Sequence, residues 1–313
     1  MINTKNITKK EMGELTIRYE CAIIGGGIAG LQAAIQLGRY RHDVIVIDSR
    51  VSGRSNLCRC YHNVLGWPNG VSGQKLRDIG TEQAKELGVY FLDATVKRVN
   101  KNKDVFDIET ESGNSYQAQR ILFATGVKDR IPSFSNLIPC LGKSVYICPD
   151  CDGYEILNKK AIILGSGTPG ANMALTLTNW SKDLIYVNHE QEPLEENKLE
   201  ALNKQGITYY DKRIMQVFAQ DGEFKGVELE GGKEIHANHG FVAFGGNEVK
   251  SELAEQLGVE LHKNKHILVN PRTQMTSVEN VWAAGDVVVH SEQMTIAMGD
   301  GMQAAIWIHK TLN

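Results

Sequence analysis

Two stretches of the chain share one order of apolar runs, glycine-rich turns and amphipathic segments. Residues 21–48 read CAIIGGGIAGLQAAIQLGRYRHDVIVID, and residues 161–188 read AIILGSGTPGANMALTLTNWSKDLIYVN. In each, a short apolar run of buried-strand type precedes the glycines, a helical period follows them, and a second apolar run closes the segment. The spacing from the first glycine to the end of the second run is the same in both. The pattern predicts two βαβ units and therefore two nucleotide-binding folds.

The segments around these units complete the two folds. FDIET and RILFATG are strand-like and follow the first unit, whereas GITYYDKRIMQVFA, FKGVELE and GFVAFGG are strand-like and follow the second. Near the C-terminus, VWAAGD reads as a strand and QMTIAMGDGMQAAIWIHKTL as a helix. We therefore predict an α/β protein with two Rossmann-like, three-layer domains, the second inserted into the first. The predicted boundaries are a flexible N-terminal extension over 1–17, a first domain over 18–136 and 246–313, and an inserted domain over 137–245.

Composition narrows the class of protein. The 313 residues carry 34 basic and 37 acidic side chains, for a net charge of −3, and no basic run indicates a nucleic-acid partner. No apolar run reaches the length of a membrane span, and the N-terminus lacks the apolar core of a signal peptide. A cytoplasmic enzyme is the expectation, and in a reducing compartment its six cysteines do not form a disulfide framework.

The first glycine motif has the context of a dinucleotide site. Gly25, Gly27 and Gly30 lie between a predicted strand and a predicted helix, and Asp48 ends the next strand. The first glycine allows a tight turn, the second lets a pyrophosphate approach the backbone at the positive helix terminus, and the third lets helix and strand pack closely. The carboxylate of Asp48 is placed to accept a hydrogen bond from a ribose hydroxyl.

The second glycine motif, Gly165, Gly167 and Gly170, predicts the same fold but leaves its ligand open. Pro169 lies inside it and has no amide to offer a phosphate. The strand that follows ends in Asn-His-Glu over 188–190, whereas an NADPH site needs a cationic side chain there for the 2′-phosphate.

The sequence Cys148-Pro149-Asp150-Cys151 is the chemical centre of the chain. A C-x-x-C pair closes a small disulfide loop and can lower the pKa of one thiol, which supplies the attacking thiolate. Asp152 follows directly and is placed to pass a proton to a departing thiolate. A zinc site is the alternative, but it needs a second ligand pair and no second C-x-x-C exists.

A second cysteine cluster, Cys58, Cys60 and His62, is ambiguous. Its members could contact a flavin, form a further thiol relay, bind metal or pack as ordinary loop side chains. A disulfide between cysteines two residues apart is strained, which argues against a redox role. Histidine pairs such as His236 and His239 have no acidic partner at ligand spacing, so no metal site is predicted.

Taken together, the chain resembles the low-molecular-weight thioredoxin reductases from about Tyr19 to Leu312. The resemblance depends on the order and spacing of GGGIAG, ATG at 124–126, CPDCDG at 148–153, GSGTPG and AAGD at 283–286. It implies that the outer domain binds FAD and that the inserted domain carries the cysteines. It also implies FAD contacts from Gly126, Gly285 and Asp286, and a helix beginning near Gln293 whose positive end faces the flavin.

The resemblance also assigns roles to the cysteines. It implies that Cys151 is the sulfur stacked against the flavin, that Cys148 attacks the disulfide of the partner, and that Asp152 is the acid-base residue. Members of the family are homodimers whose domains rotate so that the cysteines alternate between flavin and substrate, and a homodimer is expected here.

The chain departs from the family where the electron donor is bound. The family has His-Arg-Arg where this chain has Asn-His-Glu over 188–190. We therefore expect a donor other than NADPH: NADH, ferredoxin, or a second nucleotide or second flavin in the inserted domain. The phrase ATGVKDRIP also resembles the flavin dithiol oxidases, which act on small molecules and use oxygen.

Three functions follow from the sequence. The first is a thioredoxin reductase-like enzyme that acts on a thioredoxin-like protein or a small-molecule disulfide. The second is an oxygen-dependent dithiol oxidase, and the third is a non-enzymatic flavin redox sensor. A sensor has no need of the proton shuttle that Asp152 offers, which argues against the third.

Overall fold

A computed structural model of the chain describes residues 7–9, 15–50 and 53–312. These residues divide into two compact units. The first comprises the described residues up to Ser55 together with Gln74–Lys128 and the segment from Glu248 to the C-terminal end. The second comprises Asn56–Gly73 and Asp129–Asn247. The domain boundaries predicted from the sequence stay a prediction, and the structure adds that Asn56–Gly73 lie with the second unit.

Strands and helices are numbered in chain order. The strands are β1 (Ile7–Lys9), β2 (Leu15–Ile24), β3 (Val44–Asp48), β4 (Tyr90–Asp93), β5 (Val96–Asn102), β6 (Val105–Thr110), β7 (Ser115–Phe123), β8 (Val127–Lys128), β9 (Val145–Tyr146), β10 (Ala161–Gly165), β11 (Leu184–Asn188), β12 (Thr208–Tyr210), β13 (Ile214–Gln220), β14 (Glu223–Leu229), β15 (Lys233–His236), β16 (His239–Ala243), β17 (Glu248–Val249) and β18 (Val281–Ala283). The helices are α1 (Ile28–Arg39), α2 (Arg54–Leu57), α3 (Gly73–Glu86), α4 (Pro149–Asp152), α5 (Gly167–Leu177), α6 (Glu196–Lys204), α7 (Glu252–Glu255) and α8 (Met294–Leu312), with short 3-10 helices at Ile138–Cys140 and Gly153–Ile156.

The first unit is built on one twisted sheet with the strand order β4-β3-β2-β7-β6-β5, in which β18 also pairs with β7. The strands β2, β3, β4, β7 and β18 are parallel. The apolar runs of β2, β3 and β18 and the end of β7 are buried, as in a doubly wound sheet, whereas the edge strand β4 is partly exposed. One face packs against α1 and α8, where small buried residues such as Ala33 and Ala304 let the two helices approach each other. The predicted strand–glycine–helix–strand order is confirmed.

The second unit repeats this plan with a five-stranded parallel sheet in the order β12-β11-β10-β16-β9. An antiparallel sheet of β13, β14 and β15 packs its buried residues, among them Phe224 and Val227, into a core shared with one face of the parallel sheet. The predicted α/β class with two Rossmann-like folds is thereby confirmed. In both units the glycine turn follows the central strand, at the point where strand order reverses and ligands bind in such sheets.

The N-terminal extension predicted from the sequence falls largely outside the described residues. Residues 1–6 and 10–14 are not described, whereas Ile7–Lys9 pair antiparallel with Leu15–Ile17 of β2. Among the helices of the described ranges, none is both long enough and apolar enough to span a membrane.

Candidate active site

Cys148 and Cys151 form a disulfide in the second unit, with their Cα atoms 5.3 Å apart. Cys148 is the N-cap of α4 in an extended conformation, and Pro149 begins the helix, where a missing amide costs nothing. The backbone N–H of Cys151 donates to Sγ of Cys148 at 3.2 Å. The same N–H would stabilise a thiolate on Cys148 after reduction, because a hydrogen bond to the charged form lowers its pKa.

Asp152 ends α4 next to Cys151. Burial of its carboxyl group, together with the nearby negative charge of Glu155, raises the pKa of Asp152 from 3.8 to about 7. A carboxyl group with this pKa can both donate and accept a proton near neutral pH. Asp152 is therefore suited to protonate a departing thiolate.

The glycine that closes the CPDCDG motif has a packing role that the sequence did not reveal. A Cβ on Gly153 would lie 2.7 Å from carbon atoms of the Trp180 ring. Trp180 follows α5, and its indole lies directly against the turn after the redox helix. Only glycine allows this close approach, so Gly153 and Trp180 together fix the position of α4 within the unit.

The cluster of Cys58, Cys60 and His62 lies in the same unit as the disulfide. Its segment is closed by paired hydrogen bonds between Tyr61 and Val71, and by the N–H of Gly73 donating to the carbonyl of Cys58 at 3.1 Å. Burial and then the charge of Asp152 raise the pKa of Cys58 to about 12. Burial, Glu155 and Asp152 also raise the pKa of Cys60.

In the first unit, the glycines predicted to bind a dinucleotide meet the geometry of that role. Gly25 has a φ of +106°, and a Cβ there would overlap with the carbonyl oxygen of Ala124. A Cβ on Gly30 would overlap with the carbonyl oxygen of Gly25, so this glycine allows the close packing of α1 on β2. Gly27 is the N-cap of α1, and no atom lies within 4 Å of the place where its Cβ would be. The turn therefore has open space in front of a helix N-terminus, which fits a pyrophosphate.

Asp48 is held by a cation that sequence reasoning missed. Oδ2 of Asp48 accepts from Nη2 of Arg77, on α3, at 2.8 Å. A carboxylate has about four lone-pair positions, so this ion pair orients Asp48 and leaves it able to accept a ribose hydroxyl.

The other predicted FAD contacts lie in the same unit. Gly126 and Gly285 have φ values of +70° and +78°. Arg54 bridges Asp286, at 3.2 Å, and Glu292. The carbonyl of Gln293 accepts from the N–H of Ala297 in the first turn of α8.

A buried carboxylate on α8 stabilises the glycine turn near Asp286. Oδ2 of Asp300 accepts from the N–H of Gly285 at 3.1 Å and from Nε2 of His290 at 2.7 Å. The hydrogen bond to Asp300 raises the pKa of His290. No sequence pattern pointed to Asp300, because a helical aspartate next to glycine is ordinary on a protein surface.

The polar backbone groups of Gly167, in the second glycine turn, are hydrogen-bonded to side chains of the same unit. The N–H of Gly167 donates to Oδ1 of Asn188 at 2.8 Å, and the carbonyl of Gly167 accepts from the hydroxyl of Tyr186 at 2.7 Å. Asn188 is fully buried, and its amide group donates to Asp211 and Tyr209. The ring of Tyr186 lies where a Cβ on Gly170 would be. This packing accounts for Gly170, and it takes the Gly167 amide away from a phosphate.

The two residues after Asn188 are also engaged. Nδ1 of His189 accepts from the N–H of Ile214 at 2.8 Å, and its ring packs edge-on against Phe134. Glu190 pairs with Arg130, which lies over the ring of Phe244. Burial lowers the pKa of His189, so this side chain stays neutral near pH 7. The charge of Arg130 is therefore neutralised by Glu190.

The chain is similar to proteins of known class. The family model described as pyridine nucleotide-disulphide oxidoreductase matches residues 19–301. The thioredoxin reductase of Rickettsia felis is 28% identical, over 96% of this chain and 100% of that protein. The crystal structure of the putative thioredoxin reductase TrxB from Bacillus anthracis has a TM-score of 0.82 at 28% identity, covering 94% and 98% of the two chains. The crystal structure of HlmI has a TM-score of 0.85 at 26% identity, covering 94% and 92%.

The chain belongs to the pyridine nucleotide-disulphide oxidoreductase family. Within it, the chain is a thioredoxin reductase-like flavin disulfide oxidoreductase, as the sequence predicted. The family implies an FAD cofactor. The open turn at Gly27, with Asp48 oriented by Arg77, fits that group.

Proposed function

We propose that this enzyme is FAD-dependent and passes electrons through Cys148 and Cys151 to a thioredoxin-like protein disulfide, with an electron donor other than NADPH. The observation that carries the proposal is the Cys148–Cys151 disulfide beside a carboxyl group, Asp152, whose pKa is about 7. Thiol–disulfide exchange needs a thiolate and a proton donor at neutral pH, and these three residues supply both.

The first unit supplies the cofactor site in this proposal. FAD, when bound, exchanges an electron pair with the cysteines. Gly25, Gly27 and Gly30 form the turn for its pyrophosphate at the start of α1, and Asp48 accepts from a ribose hydroxyl. The N-terminus of α8, a helix of 19 residues, offers positive charge near the predicted flavin contacts.

The exchange on the cysteines is balanced in thiols and protons. A Cys148 thiolate, stabilised by the N–H of Cys151, attacks one sulfur of the partner disulfide and releases the other as a thiolate. The Cys151 thiol then gives its proton to Asp152 and attacks the sulfur of Cys148, which re-forms the Cys148–Cys151 disulfide and releases the second partner sulfur as a thiolate. Asp152 in its protonated form delivers a proton to a departing sulfur and recovers one from Cys151.

The second glycine turn does not fit NADPH. The Gly167 amide is occupied by Asn188, Pro169 has no amide, and Glu190 neutralises Arg130. A 2′-phosphate would meet a carboxylate where charge-assisted contacts of about 1.5–3 kcal/mol each are needed. NADH, reduced ferredoxin or a second flavin is the proposed donor, and a homodimer is the proposed assembly.

A dithiol oxidase is the second candidate function. The amide of Gly167 in the second glycine turn is hydrogen-bonded to Asn188 and is not available to a nucleotide phosphate. This favours an oxidase, because electrons that enter from a small dithiol need no nucleotide donor. In this case the substrate dithiol reduces the Cys148–Cys151 disulfide, oxygen is the final acceptor and peroxide is formed.

Anaerobic titration of the purified holoenzyme tests the proposal. NADPH, NADH and reduced ferredoxin are added separately while the flavin spectrum is recorded. We expect bleaching by NADH or ferredoxin and little by NADPH. Fast bleaching by micromolar NADPH would refute the proposed donor. Peroxide formation from a small dithiol without any reductant would favour the oxidase.

A further inference from the structure

A cleft of about 670 Å³ opens in the second unit beside the cysteine-rich segment. Arg59, Cys60 and His62 form one wall, and Lys143, Tyr146 and Glu155 are among the residues that form the rest. Its volume is that of a small-molecule site, for which about 300–1,000 Å³ is typical.

The cleft lies next to the redox pair in the fold. Tyr146 is in β9, which leads into Cys148, and Glu155 is in the 3-10 helix that follows α4. Two segments that flank the disulfide therefore line the same cleft as the thiol of Cys60. The negative charge of Asp152 contributes to the raised pKa of both Cys58 and Cys60, so the two thiols share the electrostatic environment of the redox helix.

The two thiols are held differently. Cys58 is the more buried of the two, and a Cβ on Gly142 would lie 3.1 Å from its Cα, so the backbone at Cys58 packs against the turn before β9. The sulfur of Cys60 occupies the space that a Cβ on Gly70 would need, and Cys60 lines the cleft. Cys58 thus lies on the side of the unit core, and Cys60 on the side that is open to a ligand.

We propose that Cys58 and Cys60 are a second redox pair that carries electrons from Cys148 and Cys151 to a small strained or aryl disulfide bound in this cleft. The proposal rests on the function proposed above and names a substrate class for the same enzyme. Protein disulfides are still attacked by Cys148 directly.

The relay is balanced step by step. The Cys148 thiolate attacks the Cys58 sulfur of a Cys58–Cys60 disulfide, and the Cys60 thiolate leaves. Cys151 then attacks Cys148, re-forming the Cys148–Cys151 disulfide and releasing Cys58. Cys60 attacks the substrate disulfide and expels one substrate thiol, and Cys58 attacks Cys60 to expel the other. Two electrons and the two protons of the Cys148–Cys151 dithiol end on two substrate thiols.

The strain that argues against a stable structural disulfide between Cys58 and Cys60 makes this pair oxidising, and it thereby decides the substrate class. A disulfide between residues two apart deviates from relaxed geometry and is more readily reduced. Strained disulfides are stronger oxidants, so electrons flow outward from Cys148 and Cys151 to Cys58 and Cys60. The final acceptor must be at least as oxidising, which describes strained or aryl disulfides rather than ordinary dialkyl ones.

Disulfide mapping after trypsin digestion tests the relay without any turnover. Arg59 separates the two cysteines, so Cys58 falls in peptide 55–59 and Cys60 in peptide 60–75, while Cys148 and Cys151 share peptide 144–159. The double variant Cys60→Ser/Cys151→Ser is fully reduced and treated with one equivalent of diamide. We expect peptide 55–59 to be linked to peptide 144–159.

Two controls make the mapping decisive. Cys140, a buried thiol of the same unit, is reported by peptide 131–143 and should stay unlinked. The double variant Cys148→Ser/Cys151→Ser should form a Cys58–Cys60 link under diamide. Failure of that link, or linkage of peptide 144–159 to peptide 131–143 in place of 55–59, would overturn the relay.

Kinetics separate this proposal from the proposed function. The probe is the aryl disulfide 5,5′-dithiobis(2-nitrobenzoate), compared with oxidised thioredoxin. Cys60→Ser should slow reduction of the aryl disulfide by about tenfold and leave reduction of thioredoxin within about twofold, and Cys140→Ala should change neither. Equal rates for Cys60→Ser and the unmodified chain would refute the relay alone, whereas unchanged thioredoxin reduction in Cys148→Ser would refute the proposed function.

Discussion

Arg130 and Glu190 form a two-point ion pair in the second unit, with Nη2–Oε1 and Nη1–Oε2 distances of 2.5 and 3.3 Å. The pair lies at the end of β11, where a dinucleotide-binding fold reads the ribose. The guanidinium group of Arg130, which could bind a 2′-phosphate, therefore already has a carboxylate partner. This pairing gives the proposed rejection of NADPH a specific cause that can be removed by one substitution.

Glu190→Gln should improve binding of NADPH. The substitution removes the like charge and frees Arg130 for a phosphate, so we expect the Kd of NADPH to fall by about tenfold, corresponding to about 1.4 kcal/mol, while the Kd of NADH changes little. Isothermal titration calorimetry on the holoenzyme measures both. Glu195→Gln, an equal charge change at the N-cap of α6, is the control. If both variants lowered the Kd of NADPH equally, the effect would come from net charge and not from the Arg130–Glu190 pair.

Gly27→Val should abolish FAD binding without unfolding the chain. Gly27 has a φ of −76°, which valine adopts without strain, and open space surrounds its Cβ position. The loss should therefore come from overlap with the pyrophosphate. The flavin-to-protein ratio and circular dichroism check this. Gly299→Ala, which also adds its Cβ in open space, should retain flavin. A folded Gly27→Val protein with full FAD content would show that the site is misassigned.

Asp152→Asn should change both the pH profile and the stability. The protonated carboxyl donates a proton, so the rate of disulfide reduction by the wild-type chain should decline as the pH rises through about 7. The variant should reduce disulfides slowly, and its rate should not show this decline. The raised pKa makes the contribution of this group to stability full below pH 3.8 and lost as the pH rises through about 7. The variant should then melt at a higher temperature than wild type at pH 8 but not at pH 4. Identical pH profiles would exclude a proton-transfer role.

The two redox cysteines should differ in what they trap. Cys151→Ser leaves the Cys148 thiol, whose sulfur accepts from the N–H of residue 151, and should hold an oxidised thioredoxin as a stable mixed disulfide. Cys148→Ser should trap much less. Non-reducing electrophoresis and peptide mapping measure the two adducts. A reversed preference would exchange the roles of the two sulfurs.

Gly153→Ala should destabilise the second unit. The added Cβ would lie 2.7 Å from the Trp180 ring, and overpacking of this kind costs about 1–3 kcal/mol. Urea unfolding measures the loss. The double variant Gly153→Ala/Trp180→Leu should recover part of it, because leucine leaves room for the methyl group. Additive losses in the double variant would show that the two residues do not interact.

The class of protein could be read from local patterns. Apolar runs, glycine spacing and helical period depend on residues close in the chain, and they predicted both βαβ units and the helix that begins after Gln293. The C-x-x-C pair was visible for the same reason, since its two sulfurs meet within one helical turn. The structure confirms these elements within the residues it describes.

What only the tertiary structure decided are the partners that come from distant positions. Arg77 reaches Asp48, Arg130 reaches Glu190, Asp300 reaches Gly285, and Trp180 covers Gly153. The two members of each pair are separated by intervening turns, strands or helices, so no local period connects them. By itself the sequence determined the two nucleotide-binding folds and the thiol chemistry. Folding of the second unit decided which polar groups are hydrogen-bonded within the protein and therefore cannot bind a ligand. A buried side chain such as that of Asn188 must satisfy its hydrogen bonds with the groups that the fold brings beside it.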